Sequence, residues 1–225
     1  MLEPSTLQFL SELRENNNRE WFAENKVRYE AAKAQLEALV EYLLKEAGKF
    51  TDLENTKVKD CIFRIYRDIR FSKNKAPYKT HLACAIGPGG KSSGRIDFYI
   101  QIEPGGESFL GGGMWDPTPG QLAKFRQEID YNVHELKSII EDPVFKAYYP
   151  EVWGESLKTV PKGYAKDHPE LELLKRKQMF FMHKYSDREV TSPDFGEKLL
   201  EGMRILKPYT DFLNYIFFDE EEEED

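Results

Sequence analysis

Cysteine and histidine are scarce in this chain of 225 residues, which contains two cysteines and four histidines. Cys61 and Cys84 are too few for a disulfide framework and favour a reducing compartment, the cytoplasm, although one secreted disulfide fits the count as well. No apolar run approaches the roughly 20 residues that span a bilayer. The first residues lack the basic and apolar regions of a signal peptide. We therefore predict a cytoplasmic protein that makes no contact with membranes.

The sequence also lacks the motifs of metal and nucleophile chemistry. The four histidines are scattered, and His134-Glu135 has no second histidine at the spacing of a zinc-protease helix. There is no GxSxG elbow, and neither cysteine adjoins a histidine in the sequence. The glycines at 111–113 precede neither a Walker lysine nor a dinucleotide-binding pattern, so a tight turn explains them better. The sequence therefore predicts no metal site, no cofactor and no particular catalytic residue.

Negative charge prevails overall, since the formal net charge is −8. Asp219 to Asp225 contribute seven of the 40 acidic residues, which leaves 33 against 32 Lys and Arg and a net charge of −1 for residues 1–218. Seven adjacent like charges repel one another, so we predict a disordered acidic tail at 219–225. Residues 57–81 carry eight Lys and Arg against Asp60 and Asp68, a local excess of +6 that leaves −7 on the rest of the body.

That local excess lies mainly in Cys61 to His81, which we call the basic segment. Its aromatic residues alternate with its cations, and Asp68 is its only acid. The cations are Arg64, Arg67, Arg70, Lys73, Lys75 and Lys79. Arginine presents a rigid fork of donors that fits carboxylate or phosphate, whereas lysine acts as a mobile point charge. The composition therefore predicts an anion-binding segment.

Each polar residue of the basic segment has an expected role. The arginines orient the anion, the lysines close over it, Asp68 holds the neighbouring arginines, Tyr78 orients the ligand, and Tyr78 and His81 exchange protons. The predicted ligand-binding residues are Arg64, Arg67, Asp68, Arg70, Lys75, Tyr78, Lys79 and His81. The competing interpretation is that the arginines pair with structural carboxylates, for which the −7 on the rest of the body supplies partners.

Hydrophobic periodicity predicts an α+β fold, a single domain over residues 1–218 with an antiparallel sheet of about four to six strands and flanking helices. Strand-like composition favours a strand from Cys61 to Tyr66, although helical spacing also fits there. The other predicted strands are Leu82 to Ile86, Arg95 to Glu103, Glu107 to Gly112 and Gln178 to Tyr185. The predicted helices are Ser5 to Arg14, Arg19 to Lys49, Pro119 to Tyr131 with a continuation over Val133 to Ile140, and Pro193 to Phe217, which is interrupted or kinked at Pro208.

The chain resembles a widespread family of uncharacterised bacterial and fungal proteins, a domain of unknown function. The resemblance rests on NNREWFAENK at 17–26, FRIYRDIRFSKNKAPYKTH at 63–81, the glycines before Pro117, and LLKRK at 173–177. It implies a single α+β domain and brings no activity, cofactor or substrate. The family pattern usually has an acid where this chain has Asn74, so the resemblance implies no catalytic or metal-binding carboxylate at that position.

These observations favour an anion-binding protein for a phosphorylated or otherwise acidic ligand, with an enzymatic role left open. The first alternative is a nucleic-acid-binding module, because interleaved aromatics and cations suit a single strand. The near-neutral body argues against it, since such proteins carry a broad positive field. The second alternative is an interaction protein whose basic patch binds an acidic partner. Nothing in the sequence determines an oligomeric state.

Overall fold

The computed structural model describes residues 2–218, so the predicted acidic tail lies outside the described residues. Five strands form one antiparallel sheet in the order β1-β2-β3-β5-β4, where the strands are β1 (Leu82–Ile86), β2 (Phe98–Ile102), β3 (Ser108–Met114), β4 (Val152–Trp153) and β5 (Met179–Tyr185). The helices are α1 (Pro4–Glu15), α2 (Arg19–Glu24), α3 (Lys26–Ala47), α4 (Val58–Cys61), α5 (Pro119–Ile140), α6 (Pro143–Tyr148), α7 (Leu171–Leu174), α8 (Asp187–Val190) and α9 (Phe195–Phe218). The predicted α+β class, with an antiparallel sheet and flanking helices, is confirmed.

The contacts within the chain group it into two compact units. Within the described residues, the first comprises 2–110 and 184–201, and the second comprises 111–183 and 202–218. The chain passes from one unit to the other within β3, within β5 and within α9. The single domain over residues 1–218 stays a prediction.

In the first unit, α1 and α3 pack together and α3 packs against β1. Buried side chains recur along α3 at helical spacing, as with Leu36, Val40 and Leu43, which is the pattern of a helix with one face in the core. The predicted helix from Arg19 to Lys49 is broken at Asn25, whose side-chain amide donates to the carbonyl of Trp21 (2.9 Å) and ends α2. A side chain that caps the backbone in this way competes with continuation of the helix.

The strand predicted from Cys61 to Tyr66 is not formed. Cys61 closes α4, and the extended chain that follows makes only isolated bridges, from Ile62 to Cys84 and from Tyr66 to Tyr78. β1 matches its predicted bounds and is buried throughout, while β2 is shorter than predicted. β1 and β2 pair antiparallel with Leu82 opposite Ile102.

The second unit contains α5, α6, α7, β4 and most of α9. Thr118 and Gln121 form a capping box at the start of α5, where Pro119 occupies the first helical position. Non-helical dihedral angles at Asn132 (φ −144°, ψ 46°) kink this helix, between the two helical stretches expected from the sequence. Helix α9 continues through Pro208. Among residues 2–218, no helix is both long enough and apolar enough to cross a bilayer.

Candidate functional site

The basic segment folds as a narrow two-stranded stem that closes an irregular loop, all within the first unit. The backbone N–H of Phe63 donates to Ala83 (3.0 Å), which joins the start of the segment to β1. Further along, the N–H of Lys79 donates to Ile65 (2.8 Å) and the N–H of Arg67 donates to Pro77 (2.9 Å). Pro77 itself has no N–H to donate, so a regular ladder cannot continue there. The stem therefore places residues 63–66 beside 77–81.

Three of the four cations of the loop at 67–76 bind groups within the loop. Arg67 donates through Nη1 to the carbonyl of Ala76 (3.0 Å), and Lys75 donates through Nζ to the carbonyl of Ile69 (3.0 Å). Arg70 binds Asp68 through a fork, with Nη2–Oδ2 at 2.7 Å and Nε–Oδ1 at 3.0 Å. The hydrogen bond from Arg70 lowers the pKa of the Asp68 carboxyl. Among these contacts only the one from Arg70 reaches a carboxylate, that of Asp68 in the segment itself, whereas Arg67 and Lys75 bind backbone carbonyls. Pairing of the arginines with carboxylates from the rest of the body therefore stays a prediction.

Arg64 and Lys79, which we call the cation pair, differ from the cations of the loop. The Lys79 ammonium lies 5.3 Å above the ring centroid of Phe63 and is half-buried, while Arg64 is exposed. Burial lowers the pKa of Lys79, and the positive charge of Arg64 lowers it further. Within residues 2–218 no carboxylate lies within 4.0 Å of either side chain. Arg64 still interacts at longer range with the charge of Asp68, so within the described residues it is Lys79 that lacks a neighbouring counter-charge.

His81 follows the cation pair and faces a carboxylate that has several other partners. Its Nδ1 lies 3.8 Å from Oε2 of Glu103. Arg14 donates to Oε1 of Glu103 (2.8 Å), and Gln101 donates to Oε2 (2.6 Å). Burial lowers the pKa of His81, Glu103 partly opposes this, and Lys79 adds to the lowering. The imidazole is therefore predominantly neutral at pH 7, the form in which it accepts a proton.

The remaining predicted binding residue, Tyr78, lies in the core. Its ring is 5 % exposed and stacks on Phe22 at 3.9 Å with an interplanar angle of 12°. Asn17 holds the backbone of Tyr78 on both sides, accepting from its N–H and donating to its carbonyl (3.0 Å each). The Asn18 side chain caps α2, as expected of an asparagine at a helix start. The structure therefore groups Arg64, Lys79 and His81, and places Tyr78 in a separate aromatic cluster.

A row of polar residues on β2 and its flanks was missed by sequence reasoning. The members alternate with buried apolar residues and so share one face of the strand; they are Asp97, Tyr99, Gln101 and Glu103, which we call the polar stripe. The Tyr99 hydroxyl donates to Oε1 of Gln101 (3.2 Å), which continues the chain of hydrogen bonds to Glu103. The alternation in IDFYIQIE is the sequence signal that identifies this stripe.

Small residues of β1 lie opposite the polar stripe. Ala83 pairs with Gln101, and Ala85 pairs with Tyr99. The ring of Phe63 lies 5.8 Å from the ring of Tyr99. Burial raises the pKa of Asp97 to about 7 and that of Tyr99 to about 12. The sheet therefore presents a polar strip bordered by short side chains and ending at His81 and the cation pair.

Metal and thiol chemistry find little support in the described part of the chain. Residues 2–218 contain no group of three or more His, Cys, Asp or Glu arranged to hold a metal ion. Cys61 and Cys84 are free and buried, and burial raises the pKa of both thiols, that of Cys61 to about 11. Thiols held in this form are poor nucleophiles.

The chain matches a known protein family over most of its length. The model of the family described as "Conserved hypothetical protein (DUF2461)" matches residues 5–212. No curated protein and no solved structure matches the chain.

Proposed function

The chain belongs to the DUF2461 family, and because that membership assigns no activity, we propose on physical grounds that the first unit binds a small anionic ligand through the cation pair. The acidic group of the ligand, a phosphate or a carboxylate, binds between Arg64 and Lys79. The polar stripe and His81 receive the rest of the ligand. The observation that carries this proposal is the half-buried Lys79 ammonium, which has Arg64 as a neighbour and no carboxylate beside it in residues 2–218.

A desolvated cation without a counter-charge lowers stability, so its presence needs an explanation. The other cations of the basic segment show the contrast, because Arg70 binds Asp68 and Lys75 binds a carbonyl. A guanidinium and an ammonium beside each other suit an oxyanion, since the first supplies a fork and the second a point charge. Binding of an anion would restore the pKa of Lys79 and offset the repulsion by Arg64.

The surroundings of the cation pair favour a small molecule over a bare ion. Phe63 and Tyr99 supply aromatic surface, and Gln101 and Glu103 supply a hydrogen-bonded edge. His81 is predominantly neutral and stands next to Lys79 in this arrangement. A proton acceptor beside an anion subsite suits a ligand with a hydroxyl or amine next to its acidic group.

Calorimetric titration and thermal unfolding with inorganic phosphate, acetate and a panel of phosphorylated metabolites test the proposal. Arg64→Gln and Lys79→Gln each remove one charge, and Lys73→Gln, an exposed position in the same segment, is the matched control. Loss of a charge-assisted contact weakens binding by roughly 10- to 100-fold. We expect this loss in the first two variants and unchanged binding in the control. Equal behaviour of all three variants would remove the proposal.

A single-stranded nucleic acid is the second candidate ligand, favoured by one observation. The Phe71 side chain is 95 % exposed and lies 5.8 Å from the guanidinium of Arg70, while Tyr66 is 53 % exposed. Exposed rings beside cations stack on bases. Titration with a fluorescent single-stranded oligonucleotide tests this candidate. It predicts that Phe71→Ala weakens binding of the oligonucleotide several-fold and that Lys73→Gln weakens it less.

A further inference from the structure

The second unit contains an open cleft of about 460 Å³ that is formed by α5 and by the loop between β4 and α7. Six of the side chains that line it are polar or aromatic. They are Arg126, Gln127, Asp130, Tyr131, Lys162 and Tyr164. The cation pair and the polar stripe contribute no residue to this cleft.

Arg126 lines the cleft, and its guanidinium makes one hydrogen bond to the backbone. Its Nε donates to the carbonyl of Leu174 (2.9 Å), the last residue of α7. Burial lowers the pKa of this half-buried guanidinium, an effect that Tyr164 partly opposes. Throughout the described residues, no carboxylate lies within 4.0 Å of Arg126. Within the described residues, the Nη donors of Arg126 therefore have no anionic partner.

Asp130, the acidic residue of the cleft lining, binds His168 and not Arg126. His168 accepts the N–H of Glu170 at Nδ1 (3.0 Å), so its Nε2 carries the proton and donates to Oδ1 of Asp130 (3.0 Å). This contact fixes Asp130 on α5 about one helical turn from Arg126. The second oxygen of Asp130 and the amide of Gln127 remain as hydrogen-bonding groups along the cleft.

Aromatic side chains border the cleft from both of its elements. Tyr131 is 78 % exposed and directly precedes the kink of α5 at Asn132. Tyr164 comes from the loop and contacts His168 edge-on, with the ring centroids 6.4 Å apart. Aromatic rings that are exposed to solvent at the border of a cleft can stack on an aromatic ring of a ligand.

We propose that this cleft binds an aromatic anion, a planar ring that bears a carboxylate or phosphate group. Arg126 binds the acidic group through its Nη donors, and Lys162 adds a second positive charge. Tyr131 and Tyr164 flank the ring. Asp130 and Gln127 accept hydrogen bonds from a hydroxyl or amino substituent of the ring. A ligand of this kind neutralises the desolvated guanidinium and covers Tyr131 at the same time.

Calorimetry on the full chain with 4-hydroxybenzoate and phenyl phosphate tests the proposal, with acetate and inorganic phosphate as probes that lack the ring. We expect saturable binding of at least one aromatic probe and at least roughly 5-fold weaker binding of its ringless counterpart, the fold-change that corresponds to about 1 kcal/mol from an aromatic contact. Absence of saturation by both aromatic probes at concentrations on the order of 10 mM would overturn the proposal.

Variants locate the binding. Tyr131→Ala and Lys162→Gln alter exposed residues, so folding is retained, and Arg126→Lys keeps the charge but loses the fork. We expect each to weaken binding of the aromatic probe, Arg126→Lys by roughly 10-fold or more. Lys166→Gln, in the same loop but outside the cleft lining, is expected to bind as the parent does. If Tyr131→Ala and Lys162→Gln bind as Lys166→Gln does, the cleft is not the site.

Discussion

At the scale of single residues, the cation pair lowers the free energy of unfolding of the ligand-free protein. Lys79 is half-buried above Phe63 and its pKa is lowered by burial and by Arg64. Groups that are arranged for binding commonly reduce the stability of the free protein. This is the reason to separate the cation pair from Arg70, whose charge is neutralised by Asp68 at the surface.

Lys79→Met is therefore expected to leave stability unchanged or to raise it by about 1 kcal/mol, while it removes the response to anions. Methionine is one atom shorter than lysine, keeps an unbranched apolar side chain beside Phe63, and removes the charged ammonium. Urea unfolding at pH 7 measures the first effect, and unfolding with added phosphate measures the second. Lys73→Met, at an exposed position, is the control. A loss of more than about 2 kcal/mol in Lys79→Met would show that the ammonium is structural.

Asp97 provides a prediction on pH. Burial raises the pKa of its carboxyl from 3.8 to about 7 in the folded protein. The folded state therefore binds more protons than the unfolded state between about pH 4 and pH 7, so this group lowers stability as the pH rises through that window. Asp97→Asn is expected to raise the free energy of unfolding at pH 8 by about 1–4 kcal/mol and to change it little at pH 4.

Urea unfolding of Asp97→Asn and the parent at pH 4, 6 and 8 measures that difference. Asp167→Asn, at an exposed position, serves as the control. A difference between Asp97→Asn and the parent that stays constant with pH would contradict the raised pKa.

At the scale of elements, the turn after β1 is fixed by a close approach to α4. Gly90 has a positive φ of 70°, and a Cβ on it would lie 2.5 Å from the carbonyl oxygen of Asp60. Lys91 reinforces the contact by donating to the carbonyls of Lys59 and Asp60 (3.0 Å each). Gly94 has a similar φ of 78°, but a Cβ there would meet nothing within 4 Å.

Gly90→Ala is expected to lower the free energy of unfolding by about 3 kcal/mol or more, because it adds a backbone clash to the cost of the left-handed conformation. Gly94→Ala carries the conformational cost alone, about 1 kcal/mol. Thermal and urea unfolding of the two variants give the comparison. Equal losses in both would mean that the turn does not approach α4 as closely as described.

Sequence patterns predicted several helices and strands correctly where the residues that determine an element are close together in the sequence. The five apolar residues of β1 gave its bounds, and Thr118 with Pro119 gave the start of α5. The end of α2 at Asn25 depends on a side-chain amide that finds a backbone carbonyl, which helical periodicity does not show. The bridges of Ile62 and Tyr66 depend on partners 22 and 12 residues away, so composition favoured a full strand where only two pairs form.

The candidate site was predictable only in its outline. The basic segment contains Arg64, Lys79 and His81, but spacing does not reveal that the stem brings these together while Arg67 and Lys75 bind carbonyls within the loop. The link between His81 and Glu103 arises from the pairing of β1 with β2, a contact across the sheet. Such long-range contacts have no signature in the local sequence.

At the scale of the whole molecule, charge is segregated along the chain. Residues 57–81 carry an excess of +6, a sum that already includes Asp60 and Asp68. Hydrogen bonds to carbonyls fix the positions of Arg67 and Lys75 but leave their positive charges in place. The segment therefore attracts small anions and polyanions alike, and the two kinds of ligand differ in the number of cations that they contact.

Salt dependence distinguishes these two kinds of ligand. For a small anion held by two cations, raising NaCl from about 50 to 200 mM is expected to weaken binding by less than roughly 20-fold. A single strand contacting six cations would lose roughly 300-fold over the same interval. Calorimetry with the best ligand of the panel, repeated at three salt concentrations, gives the slope. A steep slope would favour the nucleic-acid candidate.

The most direct test of the central claim is an NMR pH titration of the lysine side chains, with and without inorganic phosphate. The claim is that Lys79 is a desolvated cation in the ligand-free protein and that its ammonium binds an anionic ligand. The pKa of Lys79 is expected to lie below the ordinary value of a lysine in the free protein and to rise towards that value when phosphate is added at constant ionic strength. A Lys79 pKa at the ordinary value without phosphate, or one that fails to rise with phosphate, would contradict the claim.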